Sequence, residues 1–181
     1  NENLDHSIET LLEHSKNKSR FRKNPFLTSV GGTDCSDYSG KSIRRSKFAK
    51  KSFSKTIFKN SAAAGSNFSS CGFDKCRFIN ANFQECTFIN CKVQNNMDSN
   101  PIIHCNFDRS LFSDNFHLFN IDFQHSVFRQ TAFIDGTIQN VTFFSSTLQD
   151  TIFSDVFLEG VRFNDLNIDY SVFSNVHMDN V

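Results

Sequence analysis

From Tyr38 to Met178, a count of five residues falls again and again on an apolar side chain. The series reads Tyr38, Ile43, Phe48, Phe53, Phe58, Ala63, Phe68, Phe73, Phe78, Phe83, Phe88 and Val93. After a disturbance it resumes with Leu118, Phe123, Phe128, Phe133, Ile138, Phe143, Leu148, Phe153, Leu158, Phe163, Ile168, Phe173 and Met178. Fifteen of the 23 phenylalanines lie on it, so this one phase accounts for most of the large apolar volume. A helix at about 3.6 residues per turn or a strand at about 2 cannot keep such a set on one face, so the repeat defines a coil of its own.

The units share a grammar, as in Cys71-Gly72-Phe73-Asp74-Lys75 and Cys86-Thr87-Phe88-Ile89-Asn90. Two residues before the large one stands a small or β-branched residue, such as Ser66, Cys71, Cys76, Ala81, Cys86, Cys91, Ser126, Thr131, Val141 or Thr151. Asn, Asp and Ser are frequent after the Phe and suit tight turns. One large position, one small and three mostly polar resembles the pentapeptide-repeat protein family, over about four fifths of the chain. The resemblance implies an all-β fold, a right-handed quadrilateral β-helix with four units per coil, the large residue pointing to the axis and the small one filling the space beside it. Coils hydrogen-bonded at strand spacing, about seven of them, make a rod on the order of 35 Å long.

Residues 1–35 do not follow the repeat. Leu4, Ile8, Leu11 and Leu12 have helical spacing over 4–16, with Asn3 or Asp5 as a cap, which predicts a short amphipathic α-helix. A helix this short is marginal alone and must dock; the first open coil is the expected surface. Residues 17–35, basic and then holding Pro25, Gly31 and Gly32, read as an irregular linker, and the β-helix is expected over 36–181. It is irregular at 94–118, where Asp98, Asp108 and Ser113 fall on apolar positions and Phe107 and Phe112 come one residue early. A slip out and back predicts a protruding loop around 95–101, compensated near Phe116. Drift in a tolerant repeat and a loop for partner contact, with Asn95 and Asp98, are the two readings.

The residues that suggest chemistry are absorbed by the repeat. Cys71, Cys76, Cys86 and Cys91 occupy the small inward position, and Cys105 does so relative to Phe107, which makes them packing thiols. Spacing of four between cysteines on adjacent walls is poor for a tetrahedral metal, and no histidine shares their phase. His104 and His117 flank the irregular stretch without metal spacing. Paired carboxylates at defined spacing, nucleophile elbows and phosphate loops are not found in the sequence, so the expectation is a non-enzyme with no cofactor, metal or small-molecule substrate. Mean hydropathy is −0.38 and no apolar run is long enough for a transmembrane segment. No export signal is visible, and reduced cysteines point to a reducing, cytoplasmic setting, with non-classical secretion or delivery into a host cell as the other route.

Charge is segregated although the net is zero. Residues 1–60 hold 13 Lys and Arg against 6 Asp and Glu, whereas 61–181 hold 6 against 13. The run 41–59, with Arg44, Arg45 and Lys51, is either a solvated edge or a binder of nucleic acid, an acidic partner or a membrane surface. The acidic end includes Asp135 and Asp155. A coil of twenty residues places Phe133, Phe153 and Phe173 on one wall, with Ala132, Ile134, Ile152 and Val172 turned outward as an exposed apolar strip for a protein contact. The repeat persists to the last residues, so a homodimer stacked end to end through the C-terminal coils, or a larger parent protein, is expected. Together these features predict a non-catalytic protein-interaction module, free-standing or within a larger bacterial effector-type protein. The rival is what the resemblance implies for the acidic end, since some pentapeptide-repeat proteins mimic DNA: a protein that binds and protects a type II topoisomerase (DNA gyrase) against quinolones or toxins.

Overall fold

A computed structural model describes residues 27–95 and 101–181; the helix expected over 4–16 and Asp98 lie outside the described residues. The chain winds into a parallel β-solenoid of about seven coils, and every strand pairing among the described residues is parallel. Each coil has four walls, and each wall presents one inward side chain. On the first wall these are Ser29, Phe48, Phe68, Phe88, Phe112, Phe133, Phe153 and Phe173. On the second they are Asp34, Phe53, Phe73, Val93, Leu118, Ile138, Leu158 and Met178. Tyr38, Phe58, Phe78, Ile102, Phe123, Phe143 and Phe163 follow on the third, and Ile43, Ala63, Phe83, Phe107, Phe128, Leu148 and Ile168 on the fourth.

Rings in one column lie parallel at 4.7–5.5 Å, as in Phe88–Phe112 at 4.7 Å and Phe143–Phe163 at 5.5 Å. Neighbouring columns meet edge to face, as in Phe123–Phe128 at 5.1 Å and 90°. The small residue two positions earlier does more than leave room. Ser66, Thr131 and Thr151 donate their hydroxyls to the carbonyls of Ile43, Phe107 and Phe128 at 2.6–2.7 Å. Cys86 and Cys91 do the same with Sγ to Ala63 and Phe68 at 3.1 and 3.3 Å. The position therefore selects residues that are small and carry a donor, and each bond ties one coil to the one before it.

Corners are made by the second residue after the inward one, which takes a left-handed conformation at φ 45–59° in 24 non-glycine cases among the described residues, including Lys50, Asn80, Asp150 and Tyr170. For most side chains this costs about 1–2 kcal/mol per residue. The neighbouring coil offsets it: the amides of Lys50, Asn80 and Asp150 donate to the carbonyls of Ser69, Ile103 and Asp169 at 2.8–2.9 Å. Asn, Asp and Ser are common here because their short polar side chains tolerate this region.

Two departures from the expected boundaries have simple causes. Thr28–Val30 and Thr33–Asp34, expected to be linker, are strands that pair with Lys47–Ala49 and Ser52–Ser54. Backbone pairing needs no Phe, and Gly31 and Gly32 at φ 69° and 79° make the corner. The expected slip is resolved into an insertion of four residues between Val93 and Ile102 and of one between Phe112 and Leu118, where Asp114 and Asn115 share a corner at φ 57° and 63°. Asp108 and Ser113 consequently face outward, and Phe107 and Phe112 keep the core. Where Val93, Ile102 and Leu118 stand in place of rings, the axis retains a void of about 20 Å³.

Phe116 is a consequence of the second insertion. It takes the small inward position, in one column with Cys71, Cys91 and Gly136, and is fully buried between Phe112 and Phe133 at 6.0 and 5.9 Å. A methyl group on Gly136 would lie 2.2 Å from its Cδ1. Gly136→Ala is therefore expected to lower stability by about 1–3 kcal/mol, the usual cost of overpacking. Placing Phe116→Cys in the same chain should remove most of that cost in denaturant unfolding, and an undiminished cost would refute the coupling.

Candidate interaction surface

The second wall turns two columns of side chains outward over its C-terminal half. One runs His117, Thr137, Phe157, His177 and the other Phe119, Gln139, Glu159, Asp179. Phe157 and His177 stack at 5.0 Å and 6°, and the Gln139 amide donates to Glu159. Phe119 and Phe157 are half-buried, so each offers a ring face to solvent. The lower border, at Lys92, Gln94, His117, Phe119 and Gln139, is dished into a groove of about 260 Å³.

Along the edge shared with the first wall stand Asp114, Asp135 and Asp155, all left-handed and exposed. Ser113 and Ser154 donate to Asp114 and Asp155 at 3.2 and 2.8 Å. Bonds from Asn175 and Ser154 hold the Asp155 carboxyl below its ordinary value, so it stays charged. With Glu159 and Asp179 these make five carboxylates, and from Asp114 to Asp179 the wall and its two edges carry no Lys or Arg among the described residues. The stretch is an aromatic face with an anionic border.

The residues singled out by sequence divide into two groups. Ile134, Ile152 and Val172 join Leu111 and Ala132 in one cluster on the outer face of the first wall, beside Asp135 and Asp155. The strip is not exposed as expected: Leu111, Ala132 and Ile152 are 6%, 5% and 3% accessible. At the other end, Arg44 lies on the fourth wall, Arg45 at the next corner, Lys50 and Lys55 at further corners and Lys59 on the third wall. The basic run is thus a collar around the coil and not a patch. Lys51 faces inward, 3.7 Å from Asp34 and 2.9 Å from Ser29 Oγ, which commits it to the first coils. Asn95 is buried. His104 stacks on His125 at 5.1 Å, away from the buried Cys105, and no metal-holding cluster of His, Cys, Asp and Glu occurs among the described residues. Phe173 and Met178, on the last rungs, are 36% and 48% accessible.

Sequence reasoning missed Phe119 and Phe157 because they flank inward residues without sharing the phase. Their signal was available: with a coil of twenty, Phe157 and His177 must stack, and large rings beside the inward position cannot also enter the core.

Comparison with known proteins agrees on the repeat. The family model described as pentapeptide repeats matches residues 64–95, in 8 copies. No curated protein sequence matches the chain. Among solved structures, the chain is similar to a trypsin-treated variant of QnrB1, a plasmid-mediated fluoroquinolone resistance protein, at 14% identity and TM-score 0.35, over 83% of this chain and 72% of that one. It is also similar to a pentapeptide repeat protein of the Arabidopsis thaliana thylakoid lumen, at 12% identity and TM-score 0.32, over 56% and 66%. A third is HetL of the cyanobacterium Nostoc sp. strain PCC 7120, involved in heterocyst differentiation regulation, at 10% identity and TM-score 0.21, over 86% and 91%.

Two measurements check the assignments of inward polar groups. Burial alone raises the Asp34 carboxyl, but bonds from Ser36 at 2.8 Å and Tyr38 at 2.7 Å, with the Lys51 charge, outweigh it and hold the group below its ordinary value. A carboxyl depressed in the folded state contributes stability above the unfolded pKa of about 3.9 and loses it as pH falls through the folded value. Asp34→Asn should flatten that acid limb of the stability curve, and an unchanged limb would sink the assignment. Burial pushes the Cys76 and Cys105 thiols up to about 12, and the bond to Cys71 with burial pushes Cys91 up as well. A thiol reagent should label Cys35, the one exposed thiol, quickly in the native protein, and all 6 cysteines only in denaturant; fast labelling of any second thiol in the native state would contradict the packing.

Proposed function

We propose that this chain, a pentapeptide-repeat protein, is a non-catalytic scaffold that holds a basic protein partner on the C-terminal half of its second wall. One observation carries the reading: half-buried Phe119 and Phe157 lie inside a border of five carboxylates, and between Asp114 and Asp179 no described Lys or Arg of that wall neutralises them, Lys92 standing only at the lower border of the groove. Aromatic anchors ringed by charge are the pattern of an interface centre and rim, with affinity concentrated in the anchors and encounter rate in the rim. The axis, filled by stacked rings, directs binding to the walls. Five buried free thiols fit a reducing compartment.

A second reading, protection of a type II topoisomerase by DNA mimicry, draws on the same carboxylates, since DNA-binding surfaces are cationic and read phosphate spacing. The two readings separate by residue. Partners cross-linked to the chain in its own cells are identified, and their affinity is compared for Phe119→Ala with Phe157→Ala and for Asp135→Asn with Asp155→Asn. The scaffold reading expects the aromatic pair to weaken binding roughly tenfold or more. The mimic reading expects purified gyrase to be protected from a quinolone in supercoiling, with protection lost in the aspartate pair and kept in the aromatic pair. A partner bound equally by both variants, with no gyrase protection, would exclude this face altogether.

A further inference from the structure

The second wall changes character halfway along the rod. In its N-terminal half the outward positions beside Phe53 and Phe73 hold Ser52, Gly72 and Ser54, and a methyl group on Gly72 would meet nothing within 4 Å. In its C-terminal half the same two columns carry His117, Phe157, Phe119, Gln139 and Glu159. Charge divides at the same level. Apart from the inward Lys51 and Asp34, the first half and its edges hold Lys50, Lys55, Lys75 and Lys92 against Asp74. All four lysines are exposed, and none has an ion pair among the described residues. The second half holds the five carboxylates. One half is therefore small and basic, the other large and acidic, and the wall is complementary to itself when turned end for end.

We propose that the basic partner of this wall is a second copy of the chain, docked antiparallel about a two-fold axis that crosses the wall between the rungs of Val93 and Leu118. The proposal rests on the reading of the second wall as a protein-binding face. Such an axis sets each edge of the wall against the same edge of the other copy, with the rungs in reverse order. Lys50, on the edge shared with the first wall, then meets the second copy's Asp155, and Lys55, on the opposite edge, meets its Glu159. The second copy's Phe157 falls on Ser52, with room beside it at Gly72, and its Phe119 falls on Gln94. Asp74, the one outward carboxylate of the basic half, faces the second copy's Gln139, whose amide can donate to it. Every contact occurs twice. A parallel arrangement sets lysine against lysine and carboxylate against carboxylate, which is unfavourable at each charged rung. Six rungs, from Phe53 to Leu158, make a contact about 24 Å long. A face this narrow lies toward the small end of specific interfaces, so association is reversible and sensitive to salt. The segregation of charge in a chain of zero net charge then has a use, each half of the wall neutralising the opposite half of its copy.

Sedimentation equilibrium of the full chain tests this with two charge-reversed variants, Lys50→Glu with Lys55→Glu, and Asp155→Lys with Glu159→Lys. Lysine already occupies left-handed corners at positions 50, 55 and 75, so Asp155→Lys suits its corner. The unaltered chain is expected to dimerise as concentration rises, and less so as salt rises. Each variant alone should dissociate about tenfold more readily or worse. An equimolar mixture of the two should recover a heterodimer, because both sets of pairs re-form across the interface with their signs exchanged. Recovery on mixing also shows that both variants are folded. If either fails to fold, Ser52→Glu, at an exposed position facing the acidic half, should weaken the dimer by a similar factor, and no weakening overturns the proposal. A monomer at every concentration overturns it and leaves the scaffold reading to a foreign basic partner, which the cross-linking experiment detects independently. A dimer unchanged in both variants overturns it in favour of contact through the coil ends. A dimer weakened in both folded variants but not recovered on mixing refutes the antiparallel arrangement.

Discussion

The constraint on which everything rests is the agreement between two lengths. Hydrogen-bonded strands repeat at about 4.8 Å, and stacked phenyl rings settle at nearly the same separation. When a coil closes in twenty residues, ring falls on ring at 4.7–5.5 Å and amide falls under carbonyl at the same stroke. Neither set of contacts exists within one coil. A left-handed corner such as Lys50 or Tyr170 is unfavourable alone, and Lys50 acquires its amide partner only from the neighbouring coil, so stability belongs to the interfaces between coils, as in other one-dimensional repeat folds.

That dependence explains what could be read in advance. The five-residue phase determines which side chains face inward, because a ring at that position has no alternative site of comparable burial. It also located the irregular stretch, since a shift of Phe107 and Phe112 by one residue can be repaired only by a matching shift later. The size of each insertion and the capture of Phe116 by the small column were not legible: they depend on how Gly136, twenty residues away, leaves space. Lys51 was read as a surface cation because its unit looks ordinary. Only the first coil, with Asp34 and Ser29 where rings would be, gives that ammonium an inward partner.

The candidate surface was legible in half. Asp135 and Asp155 follow from corner chemistry and acidity. Phe119 and Phe157 were hidden by the very abundance of phenylalanine, since most of the 23 serve the core and composition does not separate the few that do not. The strip at Ile152 shows the opposite problem. Its outward direction follows from alternation, but Leu111, Ala132 and Ile152 are 6%, 5% and 3% accessible, and no rule of strand geometry contains that information.

The pairing of Phe116 with Gly136 has one more implication. In an ideal rod any coil can replace any other, and a duplication or loss of twenty residues merely changes the length. Here a ring that intrudes into the small column is matched by one glycine above it, and two unequal insertions bracket the same level. That level is a fixed origin from which every other rung can be counted, so length can vary by recombination toward either end while the order of coils around residues 93–136 cannot be permuted.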